Sequence, residues 1–257
     1  MKSNAEKNKD LYISMAAGNA NKTVIAGRYA FDEGKEQFIV DDIIAKLDFK
    51  QGSSFFDIGC GAGFVAESLI KTLYNLDIAI TAMDVAEIID VLNKGFITKA
   101  SFPGLKMELL KGYYPGDYTS QEKFDRILLY SVLHSTDNPF EIIEEAVRLL
   151  KPYGKILLGD LPNINRKGRF LASGEGRMFE ANYRNTTVDK IPFYSDHHDF
   201  VQKMKDDQDY YSMIDDEFID RIHKQYTNSG FDVFILPQPE SLPFSKTRHD
   251  VLICKYD

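Results

Sequence analysis

The sequence predicts an α/β protein: a doubly wound, mostly parallel seven-stranded sheet with an antiparallel last strand, plus N-terminal helices and an inserted cap. Three observations carry that expectation. Residues 55–64 read Phe-Phe-Asp-Ile-Gly-Cys-Gly-Ala-Gly-Phe, an apolar run, a glycine turn and the start of an amphipathic segment. Beyond them, short apolar runs alternate with stretches of helical spacing, the pattern of repeated βαβ units. The last two apolar runs are joined by a proline-flanked stretch with no helix, and strands joined in that way are antiparallel.

In chain order, residues 1–10 are polar and lysine-rich, with no apolar core behind them, so they read as a frayed end and not as a signal peptide. Residues 11–30 mix Tyr12, Met15, Val24, Ile25 and Tyr29 with small residues. They form either a lid over a site or a helix packed on the main domain. Phe38, Ile39, Ile43, Ile44 and Leu47 have helical spacing with one buried face. After the glycine turn, Val65, Leu69, Ile70 and Leu73 make the next apolar stripe. Residues 78–83 read as a second strand, ending at Asp84, and residues 105–110 as a third. Residues 124–130 are a fourth strand, and residues 138–150 a helix with Phe140, Ile143, Ala146, Val147 and Leu150 inward. Lys151-Pro152-Tyr153-Gly154-Lys155 stops that helix before a fifth strand at 156–160. Residues 215–229 return to helical spacing, Gly230 stops them, and strands follow at 231–235 and 250–254.

Between the fifth strand and that helix the pattern breaks. Residues 161–211 hold Arg166, Lys167, Arg169, several aromatics and the pair His197-His198. An insertion here emerges at the carboxyl ends of the strands, where open α/β sheets bind ligands. The expected organisation is an N-terminal helical lid at 1–50, a core at 51–160 and 212–257, and an acceptor-binding cap at 161–211. A dimerisation arm, or an extra helical cap with no substrate contact, is the other reading of this segment.

Composition narrows the partners. A content of 44% hydrophobic and 27% charged residues is that of a soluble globular chain. A net charge of −8 argues against nucleic acid as a partner, and no apolar run has the length of a membrane span. Of the two cysteines, Cys60 lies in the glycine turn, so a structural disulfide is not expected and a cytoplasmic location is the simpler reading.

The glycine turn carries the chemistry. Gly59 and Gly61 lack a Cβ, so a ligand can lie against bare main chain, and Gly63 lets the helix approach the strand. The dinucleotide pattern G-x-G-x-x-G needs its third glycine where Phe64 stands. Asp57, at the strand end, would repel a pyrophosphate and suits a ligand with a cationic amine. S-adenosylmethionine fits both points. The run from Asp57 to Gly63 resembles motif I, D/E-x-G-x-G-x-G, of class I, Rossmann-like methyltransferases of the small-molecule type. The run from 124 to 160 resembles the same family, where "FD…VLH…D-P…EA-R-LKP-G-…D" recurs, with Tyr153 where glycine is common.

The resemblance implies S-adenosylmethionine as cofactor, S-adenosylhomocysteine as product, and contacts from Asp57, Gly59, Cys60, Gly61, Gly63, Asp84, Val85, Tyr113 and Tyr130. Asp84, twenty-one positions after Gly63, is a carboxylate for the two ribose hydroxyls or the N-cap of the next helix. Near the third strand the family usually has an acidic residue for the adenine amine. Here the place holds Gly112-Tyr113-Tyr114-Pro115, which leaves Tyr113 over the adenine or Asp117 reaching in.

For the reaction, His134 just past the fourth strand is a candidate base or a pocket-shaping residue. His197 and His198 are its rivals, and on a strand they would point apart. No ligand spacing resembles a zinc motif, so no metal is expected. Tyr12, Arg28, Arg166 and Arg169 are the candidate acceptor contacts, the arginines suiting a phosphate or carboxylate. The expected activity is O-methylation of a small polar acceptor: a sugar, a phosphorylated metabolite or a surface-polysaccharide precursor. N- or C-methylation and non-catalytic cofactor binding are the alternatives, in a monomer or homodimer.

Overall fold

The computed structural model describes residues 10–14, 21–25, 32–98, 102–206 and 214–257. Seven strands form one sheet in the order β3-β2-β1-β4-β5-β7-β6. They are β1 (Ser54–Ile58), β2 (Ala79–Asp84), β3 (Met107–Lys111), β4 (Phe124–Tyr130), β5 (Leu150–Pro162), β6 (Asp232–Pro237) and β7 (Arg248–Cys254). The strands β1 to β5 pair in parallel, and β7 lies antiparallel between β5 and β6. Connections between the parallel strands cross over the faces, and both faces are covered.

That burial explains the continuous apolar strands. Successive side chains on a strand point to opposite faces. Phe55 therefore packs in one core with Ile39, Ile43 and Leu69, while Phe56 packs in the other with Phe124, Ile143 and Ile222. The helices supplying these faces are α1 (Glu36–Leu47), α2 (Phe64–Asn75), α3 (Ala86–Leu92), α4 (Pro139–Arg148) and, further on, α8 (Asp216–Asn228). Pro139 at the first position of α4 loses no helical hydrogen bond there. A helical turn at Lys22–Ile25 docks on α2 through the Lys22–Glu67 ion pair.

Two local expectations change. The Lys151 to Lys155 stretch is not a turn ahead of the fifth strand. It is a bulge inside β5, where Phe124 faces Leu150 but Arg126 already faces Lys155. Tyr153, 71% exposed, takes the left-handed conformation (φ 59°) that a glycine would adopt without strain. The 161–206 stretch is also more regular than its sequence suggests. It forms α5 (Ile164–Leu171), α6 (Gly174–Tyr183) and α7 (His197–Asp206) around a small core of Ile164, Leu171 and Phe200. The overlooked signals are the caps: Asn163 accepts the Arg166 N–H and Ser173 accepts the Gly176 N–H.

The reversed strand β7 is tied in by buried charge. Asp250 accepts the Asp160 N–H at 2.7 Å, Gln238 Nε2 at 3.1 Å and Lys46 Nζ at 2.6 Å. Arg248 Nη1 reaches Asp160 Oδ2 at 2.8 Å. Asp160 and Asp250 are fully buried, so each carboxylate depends on these partners.

Candidate active site

A cavity of about 370 Å³ opens over the carboxyl ends of β1, β2 and β4 and the loop after β3. Its floor is the glycine turn. Gly59 and Gly61 have φ of 74° and 69°, the left-handed region. A Cβ on Gly59 would stand 2.6 Å from Val132, so bare backbone is required there by packing as well. The turn is tied to the tip of β2: Gly59 and Cys60 N–H groups donate to the Met83 carbonyl at 2.8 and 3.2 Å. The Gly61 N–H donates to Asp84 Oδ2 at 2.9 Å, and Asp84 Oδ1 accepts the Val85 N–H at 2.7 Å.

Asp84 therefore shapes the turn. It is not the N-cap of α3, because Val85 occupies that position. Each of its oxygens keeps a second lone pair for a ligand. Burial raises its pKa and the two N–H donors oppose the rise. Asp57 differs. No donor reaches its carboxyl among the described residues, and burial, then the Asp84 charge, push its pKa up to about 7. The Cys60 thiol is pushed up by burial and by the same two carboxylates. Two buried carboxylates side by side, with no cation beside them among the described residues, favour a cationic ligand.

Asp57, Gly59, Cys60, Gly61, Gly63, Asp84, Val85, Tyr113, Tyr130 and Tyr12 all line this cavity. The Tyr130 ring lies over Gly159 of β5, where a Cβ would come within 2.4 Å of it. Other wall residues escaped sequence reasoning: Tyr114, Ser131, Val132, Ser135, Thr136 and Asp137. Most follow the tip of β4, and the rule that open sheets bind ligands at strand ends was the signal for them.

The remaining candidates lie elsewhere. His134 sits in the 3-10 turn Leu133–Ser135. In such a turn residues three apart eclipse, so with Val132 and Ser135 on the cavity the intervening His134 is not among the lining residues. His197 and His198 do not point apart on a strand. They open α7 with ring centroids 3.9 Å apart, off the cavity. Arg166 donates to the Ser245 and Lys246 carbonyls at 3.0 and 3.1 Å, and Arg169 pairs with Asp216 at 2.7 Å. Both guanidiniums are thus engaged away from the site, and no described residue of 161–206 lines it. Arg28 lies outside the described residues. No group of three or more His, Cys, Asp or Glu among the described residues could hold a metal ion.

A mixed sheet of this order, with a glycine turn and acidic residues at neighbouring strand tips, makes this an open α/β protein with its cavity at the strand ends, where such sheets bind ligands. Residues 56–158 match the family model described as "Methyltransferase domain". The ubiquinone biosynthesis O-methyltransferase of Xanthomonas oryzae pv. oryzae (strain PXO99A) is 30% identical over 128 residues, 48% of each chain. That of Hydrogenovibrio crunogenus (strain DSM 25203 / XCL-2) is 30% identical over 136 residues, 51% of this chain and 52% of the relative. The chain spans about half the length of these curated relatives. In fold it is similar to the plantazolicin methyltransferase BpumL, solved with a triazolic desmethylPZN analog and SAH (TM-score 0.58, 17% identity, 98% of this chain and 99% of that one). It is likewise similar to a SAM dependent methyltransferase from Aquifex aeolicus (TM-score 0.53, 16% identity, 87% and 94%). Residues 56–158 thus carry a methyltransferase-domain match, and the chain shares its fold with solved methyltransferases, one with SAH bound and one described as SAM (S-adenosylmethionine) dependent.

The site's residues fit that cofactor. Among the described residues no cation meets the Asp57 carboxyl at the cavity, a second carboxylate stands at the next strand tip, and Gly59, Gly61 and Gly63 leave bare main chain in the turn beside them.

Proposed function

We propose that the protein transfers a methyl group from S-adenosylmethionine to a hydroxyl of a small, uncharged polar acceptor. The carrying observation is the cavity wall itself. Its lining joins the glycine turn with Asp57 and Asp84 to the polar side chains of Tyr12, Tyr130, Ser131, Ser135, Thr136 and Asp137. In this reading Asp57 receives the cofactor's amine, and Asp84 accepts from the ribose hydroxyls through its remaining lone pairs. Bound S-adenosylmethionine supplies a methyl group activated by a positively charged sulfur.

The chain's own part is to hold the acceptor in line and to take up the hydroxyl proton. We assign the proton to Asp137, the carboxylate that lines the wall on the β4 side. His134, His197 and His198 lose that role in this reading because none of them lines the cavity.

The acceptor's charge follows from the same wall. Its charged side chains among the described residues are Asp57, Asp84 and Asp137, with no Lys, Arg or His. Among the described residues a phosphate would meet carboxylates and no cation, so the phosphorylated acceptors expected from Arg166 and Arg169 lose that support. A neutral hydroxyl compound, such as a sugar, keeps it, and nothing in the wall favours a surface-polysaccharide precursor over others. The name of the curated relatives, O-methyltransferases, supports oxygen as the methylated atom.

The test is methyl transfer by the purified full chain from methyl-labelled S-adenosylmethionine. The panel holds neutral hydroxyl compounds, their phosphorylated counterparts and amines. Label in a neutral hydroxyl compound is expected. Transfer only to phosphorylated compounds or to amines overturns the assignment. Tight cofactor binding with transfer to no member would favour the non-catalytic reading.

A further inference from the structure

We infer that Gly159 is a positioning residue for methyl transfer: it seats the Tyr130 ring, and through that ring it sets where the acceptor lies. The inference rests on the methyl-transfer reading proposed above. Gly159 is buried within β5 and is not among the lining residues of the cavity. Its φ is not left-handed, so the backbone there does not call for a glycine. A glycine inside a strand weakens it and often marks a close approach. The approach here is that of Tyr130, the register partner of Gly159 across β4 and β5. A Cβ on Gly159 would stand 2.4 Å from Tyr130 Cδ2, 2.9 Å from Cε2 and 3.4 Å from Cγ, its three nearest atoms.

The tip of β4 is gripped at both ends. Tyr130 rests on Gly159, and Val132 rests on Gly59 of the glycine turn, where a Cβ would meet it at 2.6 Å. Between them Ser131 takes the left-handed region (φ 61°), and its N–H donates to the Gly159 carbonyl at 2.9 Å. A residue other than glycine keeps such a conformation where its surroundings impose it, and such residues gather at functional sites. Tyr130, Ser131 and Val132 all line the cavity. In the sheet, β4 flanks β1 on the side opposite β2. With the cofactor's amine at Asp57 on β1 and its ribose at Asp84 on β2, the β4 tip faces the acceptor.

The seat is firmer than the ring. Asp160, the next residue of β5, donates its N–H to Asp250 at 2.7 Å, and its Oδ2 accepts Arg248 Nη1 at 2.8 Å. A methyl group added at 159 therefore moves the ring and not the strand. Carbon atoms in contact rest about 3.5–4.0 Å apart, so the ring must give way by about 1 Å. A misplacement of about 1 Å at a reacting centre can cost about a hundredfold in rate. Alanine keeps the carbonyl that Ser131 uses, so Gly159→Ala acts through its methyl group.

The experiment compares the full chain with Gly159→Ala, Tyr130→Ala and the double variant. Each receives methyl-labelled S-adenosylmethionine with glycerol, glucose or catechol as the acceptor probe, and each is titrated with S-adenosyl-L-homocysteine. Gly159→Ala should lower kcat by about a hundredfold while its S-adenosyl-L-homocysteine affinity stays within about threefold of the parent's. Tyr130→Ala should lower kcat by about tenfold or more. In that background Gly159→Ala should change kcat by no more than about twofold, because the ring it acts through is gone. An unchanged kcat in Gly159→Ala, or an equal loss with and without the ring, overturns the inference and leaves methyl transfer standing. Should Gly159→Ala not fold, the other two variants decide: equal and lowered kcat is expected, and a Tyr130→Ala kcat within about twofold of the parent's overturns the inference. Transfer by the parent to none of the three probes overturns the reading as a methyltransferase of small neutral hydroxyl compounds, and this inference with it.

Discussion

Replacing Asp57 with asparagine should stabilise the cofactor-free protein and cost it cofactor affinity, and both effects should vary with pH. Asp57 is 7% exposed and stands beside Asp84, with no donor to its carboxyl among the described residues. Burial first, and the Asp84 charge second, raise its pKa from 3.8 to about 7. The folded carboxyl thus holds its proton more tightly than the unfolded one. Its contribution is full below the unfolded value, falls by up to about 1.4 kcal/mol per pH unit as pH rises, and is gone once pH passes the folded value. Over the whole interval the loss is at most about 4 kcal/mol. Asparagine carries no charge to bury, so the variant's advantage should be near zero at about pH 4 and several kcal/mol at about pH 8. Denaturant unfolding of both cofactor-free proteins across that range measures it. Binding runs in the opposite sense. A cationic amine favours the ionised carboxyl, so cofactor binding releases a proton. The parent's affinity for S-adenosylhomocysteine should rise with pH by up to about tenfold per unit until about pH 7, and the variant's should be low and flat. The same stability difference between the two proteins at about pH 5 and about pH 8 would refute the buried-charge argument.

Gly59→Ala forces a left-handed non-glycine residue and a Cβ 2.6 Å from Val132, so unfolding should show a loss of about 1–3 kcal/mol along with weaker cofactor binding. Asp250→Ala strips Lys46, Gln238 and the Asp160 N–H of a shared buried acceptor, and thermal or denaturant melts should register about 3–5 kcal/mol of destabilisation. Tyr153→Gly relieves a left-handed tyrosine on an exposed bulge, and a gain of up to about 1 kcal/mol is expected from the same melts. Asp137→Asn should lower kcat on the accepted hydroxyl compound while cofactor affinity, measured by titration, stays within about twofold.

The parallel strands and their helices were legible because each is decided within a short window. Phe55 and Phe56 are both apolar because the sheet is covered on two sides, and a run of that kind announces itself before any partner is known. The glycine turn was legible for a similar local reason: only a residue without Cβ takes the φ of Gly59 and Gly61. The cap region was harder. The short helices α5 and α6 announce themselves chiefly by the single capping residues Asn163 and Ser173, and their apolar residues, such as Ile164 and Leu171, bury against α7 in a small core of their own.

The acceptor side was not legible, and the arginines show why. Arg166, in a basic cluster, reads as a phosphate clamp until the carbonyls of Ser245 and Lys246, some eighty residues away, are found in its grip. The histidines behave the same way: their chemistry is visible in the chain, but their direction depends on a turn or a helix start. Asp117 is the matching case on the cofactor side, a carboxylate at a suitable spacing that spends itself on its own loop.

By itself, then, the chain determined the sheet, the turn and the pair Asp57 and Asp84, because periodicity and backbone freedom are local properties. Tertiary structure alone decided which charges meet the cavity, since a polar side chain goes where its strongest partner lies and that partner is usually distant in sequence. It also decided that Asp57 is buried with no cation beside it among the described residues, because desolvation belongs to the whole fold and to no one stretch of it.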